Sequence, residues 1–159
     1  MAVLSDRCYI VLSGKIDNYM RGGNPSGHSI TQRIEYFKTG LKIFIKNPVL
    51  GVGAGDVPVE FIKQYERDNT ILDAEYRNRA HNQYLTFLIS SGILGFVFIM
   101  LSLFIPILKH TVNINYLFII FLAIALLSMF TEDTLETSAG VSFFAYFYSL
   151  FLFGNGERI

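Results

Sequence analysis

The sequence predicts an all-α integral membrane protein with three spanning helices behind a polar loop domain. Three observations lead there. The run from Asn82 to Leu108 holds no Asp, Glu, Lys or Arg, and an uncharged helix of that length crosses a hydrocarbon core of roughly 30 Å. Two further uncharged runs follow, Thr111 to Thr131 and Thr137 to Gly156, each near the length a crossing needs. The 159 residues are 52% hydrophobic and 15% aromatic with a mean hydropathy of +0.40, too apolar for an ordinary soluble domain.

Taken in order, residues 1–14 read as a truncated N-terminal segment. Their longest apolar run, Cys8 to Leu12, is too short for a signal peptide or a span. Residues 15–81 form the polar loop domain, and 82–156 the membrane part, with helices over 82–108, 114–131 and 138–154. Formal charge sums to zero, yet 11 of the 13 Lys and Arg and 9 of the 13 Asp and Glu precede His81. Cys8 is the single cysteine, which excludes an internal disulfide and a thiolate metal site.

Inside the loop domain, residues 15–29 are rich in turn formers and lack apolar periodicity, so they are expected as loop. Ser29 and Gln32 have capping-box spacing, which predicts a helix from Ile30 to Lys46. At roughly 100° per residue, Ile30, Ile34, Phe37, Leu41, Phe44 and Ile45 form one stripe, and Glu35, Lys38, Lys42 and Lys46 fall opposite. The helix is therefore amphipathic and suited to a membrane interface. Arg33 projects at the edge of the apolar stripe rather than among the lysines. Asn47-Pro48 ends the helix, because the residue before proline is pushed out of the α region.

The loop Gly51-Val52-Gly53-Ala54-Gly55-Asp56 fails as a dinucleotide fingerprint, lacking the third-glycine spacing and a strand-then-helix context. It is either a tight turn or a backbone nest whose N–H groups, Gly53 and Gly55 included, face an anion. Pro58 to Asn78 is mixed in charge and expected to be helical in part, anchored by Phe61, Ile62, Tyr65, Ile71, Leu72 and Tyr76.

His81 stands where the first span begins. There it either caps a helix or, kept neutral by the positive helix end, accepts a proton. Tyr84 shares its face, and Ser91 with Gly95 makes a small-residue pair that permits close helix approach. Arg33, Arg77 and Arg79 can hold phosphate, since a guanidinium matches phosphate oxygens at two points; Arg77 and Arg79 can equally snorkel to head groups. Glu132, Asp133 and Glu136 lie between the second and third spans, on the side expected for His81. Carboxylates there either orient an acceptor hydroxyl or form a solvated acidic loop. His28 and His110 lack metal-ligand spacing, so no metal centre and no cofactor are expected.

Taken together, Arg33-Ile34-Glu35-Tyr36-Phe37, then Asn47-Pro48-Val49-Leu50-Gly51-Val52-Gly53-Ala54-Gly55, then His81-Asn82-Gln83-Tyr84-Leu85 with Gly92 eleven positions after His81, resemble the O-antigen ligase and polymerase family in order and spacing. The resemblance implies a bacterial inner-membrane, multi-pass, inverting and metal-independent glycosyltransferase. It would move a glycan from undecaprenyl pyrophosphate to an acceptor hydroxyl, that of lipid A core, at the periplasmic face. Residues 15–80 would be the family's periplasmic loop, Arg33 its pyrophosphate-binding arginine and His81 its histidine. The remaining candidates for substrate contact are Arg79, Arg77, Gly53, Gly55, Tyr84 and Glu132. Expected partners are the lipid-linked glycan, the glycan acceptor and the membrane, with no nucleic acid.

The chain departs from the family in two ways. The family has more spanning helices and an upstream arginine motif that Arg7 does not supply, so the chain reads as a C-terminal fragment of a larger polytopic enzyme, inactive alone. The excess of Lys and Arg before His81 would place that half in the cytoplasm, although long loops weaken the rule, and Lys109 and Arg158 fall on the cytoplasmic side of the family topology. The alternatives are a polysaccharide polymerase of the same family and a non-catalytic membrane subunit or truncated remnant.

Overall fold

A computed structural model of the protein describes residues 13–108 and 116–153. The expectations for residues 1–12, Arg7 among them, and for Lys109, His110 and Arg158 lie outside the described residues. Among the described residues the chain is helical, without strands. Helix α1 covers 13–20. It is followed by α2 (Ser29–Lys46), α3 (Val57–Arg67), α4 (Gln83–Leu108), α5 (Tyr116–Ser128) and α6 (Ser138–Phe153), with single 3-10 turns at Ala54–Asp56, Ala74–Tyr76 and Thr134–Glu136.

Two expectations for the loop domain change. Residues 15–20, expected as loop, are helical, held by Tyr19, whose hydroxyl donates to Glu35 and accepts from Lys38 Nζ at 2.7 Å. These tertiary bonds override the weak local pattern. The Ser29–Gln32 capping box does not form: the N-cap is His28, without a side-chain cap bond. Thr31 Oγ1 fastens the first turn instead, donating toward the carbonyls of His28 at 3.1 Å and Pro25 at 3.3 Å.

Helix α2 carries three faces. Tyr36, Thr39, Gly40 and Ile43 are buried against α3 and α4, and join Val57, Phe61, Tyr65, Leu72, Ala80, Leu85 and Ile89 in one core. Gly40 makes this contact possible, because a methyl there would sit 2.8 Å from Leu85 Cδ2. The lysine face ties α2 to its neighbours: Lys42 pairs with Asp68 at 3.0 Å and Lys46 donates to Gln64 Oε1. The apolar stripe identified in the sequence divides: Ile30, Phe37, Leu41 and Ile45 are exposed, whereas Ile34 and Phe44 are partly buried, Phe44 against the core. Helix α3 uses Phe61 and Tyr65 as core anchors, whereas Ile62 and Ile71 are exposed.

Helix α4 is broken at Gly92, where φ is 66° and ψ is −172°. The break frees backbone groups that water or protein must satisfy. The turn after α2 supplies the partners. Val52 and Gly53 N–H donate to the carbonyls of Ile89 and Ser90 at 2.8 and 2.9 Å, and Pro48 and Val49 carbonyls accept from Ile93 and Leu94 N–H at 2.8 and 3.4 Å. Only glycine fits on either side of this seam. Gly51 has φ of 71° and a methyl on it would lie 2.5 Å from the Ser90 carbonyl carbon, while a methyl at Gly92 would overlap the Val49 carbonyl. Close approach thus occurs at Gly92, not through the Ser91–Gly95 pair.

Among the described residues, one helix is long and apolar enough to cross a membrane, α4 over Gln83–Ile105. Helices α5 and α6 are apolar but shorter, 13 and 16 residues. Helix α5 stops at Ser128, short of Thr131, because the residues after it are drawn onto the start of α4. Their core gathers Leu122, Met129 and Phe144 with Phe121, Leu126 and Tyr148 packed around it.

Gly92→Ala should destabilise the protein in detergent by at least about 1–3 kcal/mol, since a left-handed non-glycine residue is strained even before the overlap with Val49. Gly55→Ala, with open space around it and ordinary φ, is the control and should leave thermal unfolding nearly unchanged.

Candidate functional site: an arginine, a histidine and one carboxylate

Arg33 leaves α2 at the border between its buried and exposed apolar faces and crosses to the loop after α5. Its guanidinium donates to the Thr131 carbonyl at 2.7 Å and to Glu132 Oε1 at 2.8 Å. His81 reaches the same carboxylate from the other side, with Nδ1 3.5 Å from Glu132 Oε2. Arginine and histidine, 48 positions apart in sequence, therefore converge on one anionic group.

His81 is not inside the helix. Its φ is 47°, a left-handed conformation uncommon for a non-glycine residue, which turns the chain sharply before α4. Asn82 is the cap instead, its Oδ1 accepting from Leu85 N–H at 2.9 Å. The imidazole lies beside Tyr36, ring centroids 6.0 Å apart, and is half-buried. Two buried-side tyrosines hold the approach to it: Tyr36 donates to the Tyr76 carbonyl at 2.6 Å and Tyr65 to that of Asn78 at 2.7 Å. Burial pushes the Tyr65 phenol far up, so it stays a donor.

The acidic loop is stapled to the start of α4. Asn82 Nδ2 donates to the Phe130 carbonyl at 3.0 Å, and Gln83 N–H to that of Met129 at 2.9 Å. Fully buried Gln83 also accepts from Leu135 N–H at 2.7 Å, and Thr86 Oγ1 donates to Asp133 at 2.8 Å. Three polar side chains within five positions, Asn82, Gln83 and Thr86, thus set where Glu132 stands. Sequence reasoning noted Asn82 and Gln83 only as part of a motif and gave Thr86 no role; polar residues at the mouth of an apolar helix were the available signal.

Arg79 also meets this loop, 3.0 Å from Glu136. With His81, Arg77 and Asp133 it lines a cleft of about 330 Å³ floored by Phe61. Arg77 itself is turned inward, Nε donating to the Leu72 carbonyl at 3.1 Å. Tyr84 donates to the Leu126 carbonyl at 2.7 Å and its ring lies tilted against that of Phe130, centroids 4.6 Å apart, so it braces α5. Gly53 spends its N–H on the Ser90 carbonyl, and Gly55 lies in the 3-10 turn Ala54–Asp56. The loop is thereby a structural turn against α4. Among the described residues, no cluster of three or more His, Cys, Asp or Glu has the placement to hold a metal ion.

The hydrogen bond from Arg33, with the neighbouring guanidinium charge, holds the Glu132 carboxyl below the usual glutamate range; partial burial works the other way but is outweighed.

The described residues make a helical protein with one apolar helix long enough to cross a bilayer and a cluster of paired charges at that helix's mouth. Its family follows from comparison: a family model described as O-antigen ligase matches residues 8–100 of the 159, and the chain belongs to that family. The match takes in Arg33, His81 and the Gly92 break, and ends before the acidic loop. No curated protein and no solved structure matches the chain.

Because its folded pKa is depressed, Glu132 contributes pairing above the ordinary carboxylate range, and the contribution is lost as pH falls through the lowered folded value. Arg33→Gln should raise the Glu132 pKa toward the ordinary range, read from the carboxyl carbon shift in an NMR titration.

Proposed function

We propose that this region carries the transfer site of an O-antigen ligase, moving a glycan from undecaprenyl pyrophosphate to a hydroxyl of lipid A core at the periplasmic face of the inner membrane. In this reading residues 15–81 form the periplasmic domain, and α5 and α6, with their flanking residues, cross the bilayer beside α4. The observation that carries it is the shared carboxylate. Arg33 and His81 both address Glu132, so a group of diphosphate character entering there meets guanidinium and imidazole together.

The reaction needs two things from the protein. As the acceptor oxygen forms its bond to the anomeric carbon from the face opposite the leaving group, the bond from that carbon to the pyrophosphate oxygen breaks, and the departing diphosphate takes the electron pair. Arg33 neutralises that charge by two-point contact, with Arg79 as a second cation at the cleft. The acceptor proton passes to His81 Nε2, the ring nitrogen turned away from Glu132. Glu132 holds Nδ1 and stabilises the imidazolium, while the diphosphate displaces it from Arg33. Attack from the opposite face inverts the anomeric centre, and no step calls on a metal.

In the intact protein, His81→Ala should lower transfer by about 10²–10⁴-fold, the usual worth of a positioned base. Arg33→Lys should fall comparably, because an ammonium cannot reproduce the two-point contact. Both are checked by ligation in membrane vesicles supplied with lipid-linked glycan, with protein level measured in parallel. Normal ligation in either variant would overturn the assignment.

A further inference from the structure

We propose that α2 lies on the bilayer surface with its Ile30, Phe37, Leu41 and Ile45 stripe among lipid acyl chains, and that the turn after it dips into the apolar layer to meet α4 at Gly92. The occupant of this face is lipid. The stripe is unused by the fold: Phe37 is 46% and Ile45 64% exposed, while the helix packs through Thr31, Tyr36, Thr39, Gly40 and Ile43.

The stripe does not stop with the helix. Val49 and Leu50 extend it, Leu50 being 75% exposed, and the Pro48 and Val49 carbonyls bond to Ile93 and Leu94 N–H. That places the turn nine residues into the helix best suited to span the membrane. From Ile93 onward α4 shows the same character, with Leu94, Val97, Phe98 and Leu101 exposed. Non-helical backbone at such depth is tolerated only where its polar groups are satisfied by protein, and the four seam bonds do that for both partners. The turn therefore brings a satisfied backbone and two bare aliphatic side chains to the apolar layer, as a re-entrant element would.

Composition argues for lipid over another helix. Buried helix contacts in membranes favour small residues, which α2 keeps on its packed face at Thr31, Thr39 and Gly40. The exposed face is branched and aromatic. Lys38, Lys42 and Lys46 border it on one side, their ammonium groups turned to Tyr19, Asp68 and Gln64 rather than across the stripe. Arg33 stands at the stripe's other border. If the transfer reading above holds, a lipid-linked diphosphate reaches that guanidinium without leaving the bilayer; the lipid contact itself does not depend on that reading.

The chain has no tryptophan, so single tryptophans report cleanly. The full chain carrying Phe37→Trp, Leu50→Trp or, as a control on exposed α3, Glu66→Trp is reconstituted into phosphatidylethanolamine and phosphatidylglycerol vesicles with acyl chains brominated near the head group or near the chain end. Phe37→Trp and Leu50→Trp should be blue-shifted and lose intensity to bromine, about 5–10 Å deep for an interfacial helix, with Leu50→Trp quenched from the deeper position. Glu66→Trp should respond only to aqueous iodide. Iodide quenching of the first two without bromine quenching would overturn the proposal, and so would protection from both quenchers, which would mean protein covers the face. Spin-labelled Leu50→Cys in a Cys8→Ser background, compared for oxygen against nickel-chelate accessibility, gives an independent reading should a tryptophan variant fail to fold; preferential nickel access would overturn the proposal equally.

Discussion

The seam between the Pro48–Gly53 turn and the break in α4 is the constraint on which the rest of the structure depends. A helix interrupted in an apolar setting has carbonyl and N–H groups with nowhere to go, and each costs on the order of 1–3 kcal/mol if left buried and unpaired. Four hydrogen bonds from one turn remove that cost. Because the turn is the direct continuation of α2, satisfying α4 also fixes α2 across its first half, with Gly40 against Leu85 and Ile89. Arg33 is then held at a set height relative to His81. The side chains of the candidate site are thus positioned by backbone pairing some distance away from them.

A second set of bonds works from the opposite direction. Asn82, Gln83 and Thr86 pull the residues after α5 onto the head of α4, and this shortens α5 at Ser128. Glu132 arrives between Arg33 and His81 as a result. Two independent anchors, one at Gly92 and one at Gln83, therefore converge on a single carboxylate.

Much of this was legible in the sequence, and the parts that were not share a cause. The α2 boundaries, its end at Asn47-Pro48 and the placement of Arg33 at a sector border follow from local rules, since periodicity and proline sterics need no tertiary knowledge. The acidic residues falling beside His81 followed from counting apolar runs. Which residues α2 packs through did not: its stripe of Ile30, Phe37 and Leu41 read as an interfacial surface and is exposed, whereas the packed face of Tyr36, Thr39, Gly40 and Ile43 depends on Gly40 letting Leu85 and Ile89 come close. The glycine loop takes the tight-turn alternative of its two readings, but the reason was not local: Gly51 and Gly53 meet another backbone, the Ile89 to Gly92 stretch far along the chain. Likewise α1 exists through Tyr19 bonding to Glu35 and Lys38 across sixteen and nineteen positions, which no local pattern reveals.

The electrostatic state of the site explains why so many charges can gather at the edge of an apolar layer. Arg33 and Arg79 are matched by Glu132 and Glu136 in the same loop, at 2.8 and 3.0 Å, with the His81 ring 3.5 Å from the same Glu132. Unmatched, such cations would repel each other and weaken the junction between α2, α4 and the acidic loop. Matched, they hold it together, yet only modestly, because the pairs are partly exposed and water screens them. That modest strength is what a binding site for a strong anion requires. Under the proposed transfer reading, a diphosphate would bring more charge than the carboxylate it displaces, and two-point contact with a guanidinium would favour it further, leaving Glu132 in reach of His81. The same carboxylate would then do different work in the two states of that reading: a counter-ion to Arg33 before the diphosphate enters, and a partner for the His81 ring once it has.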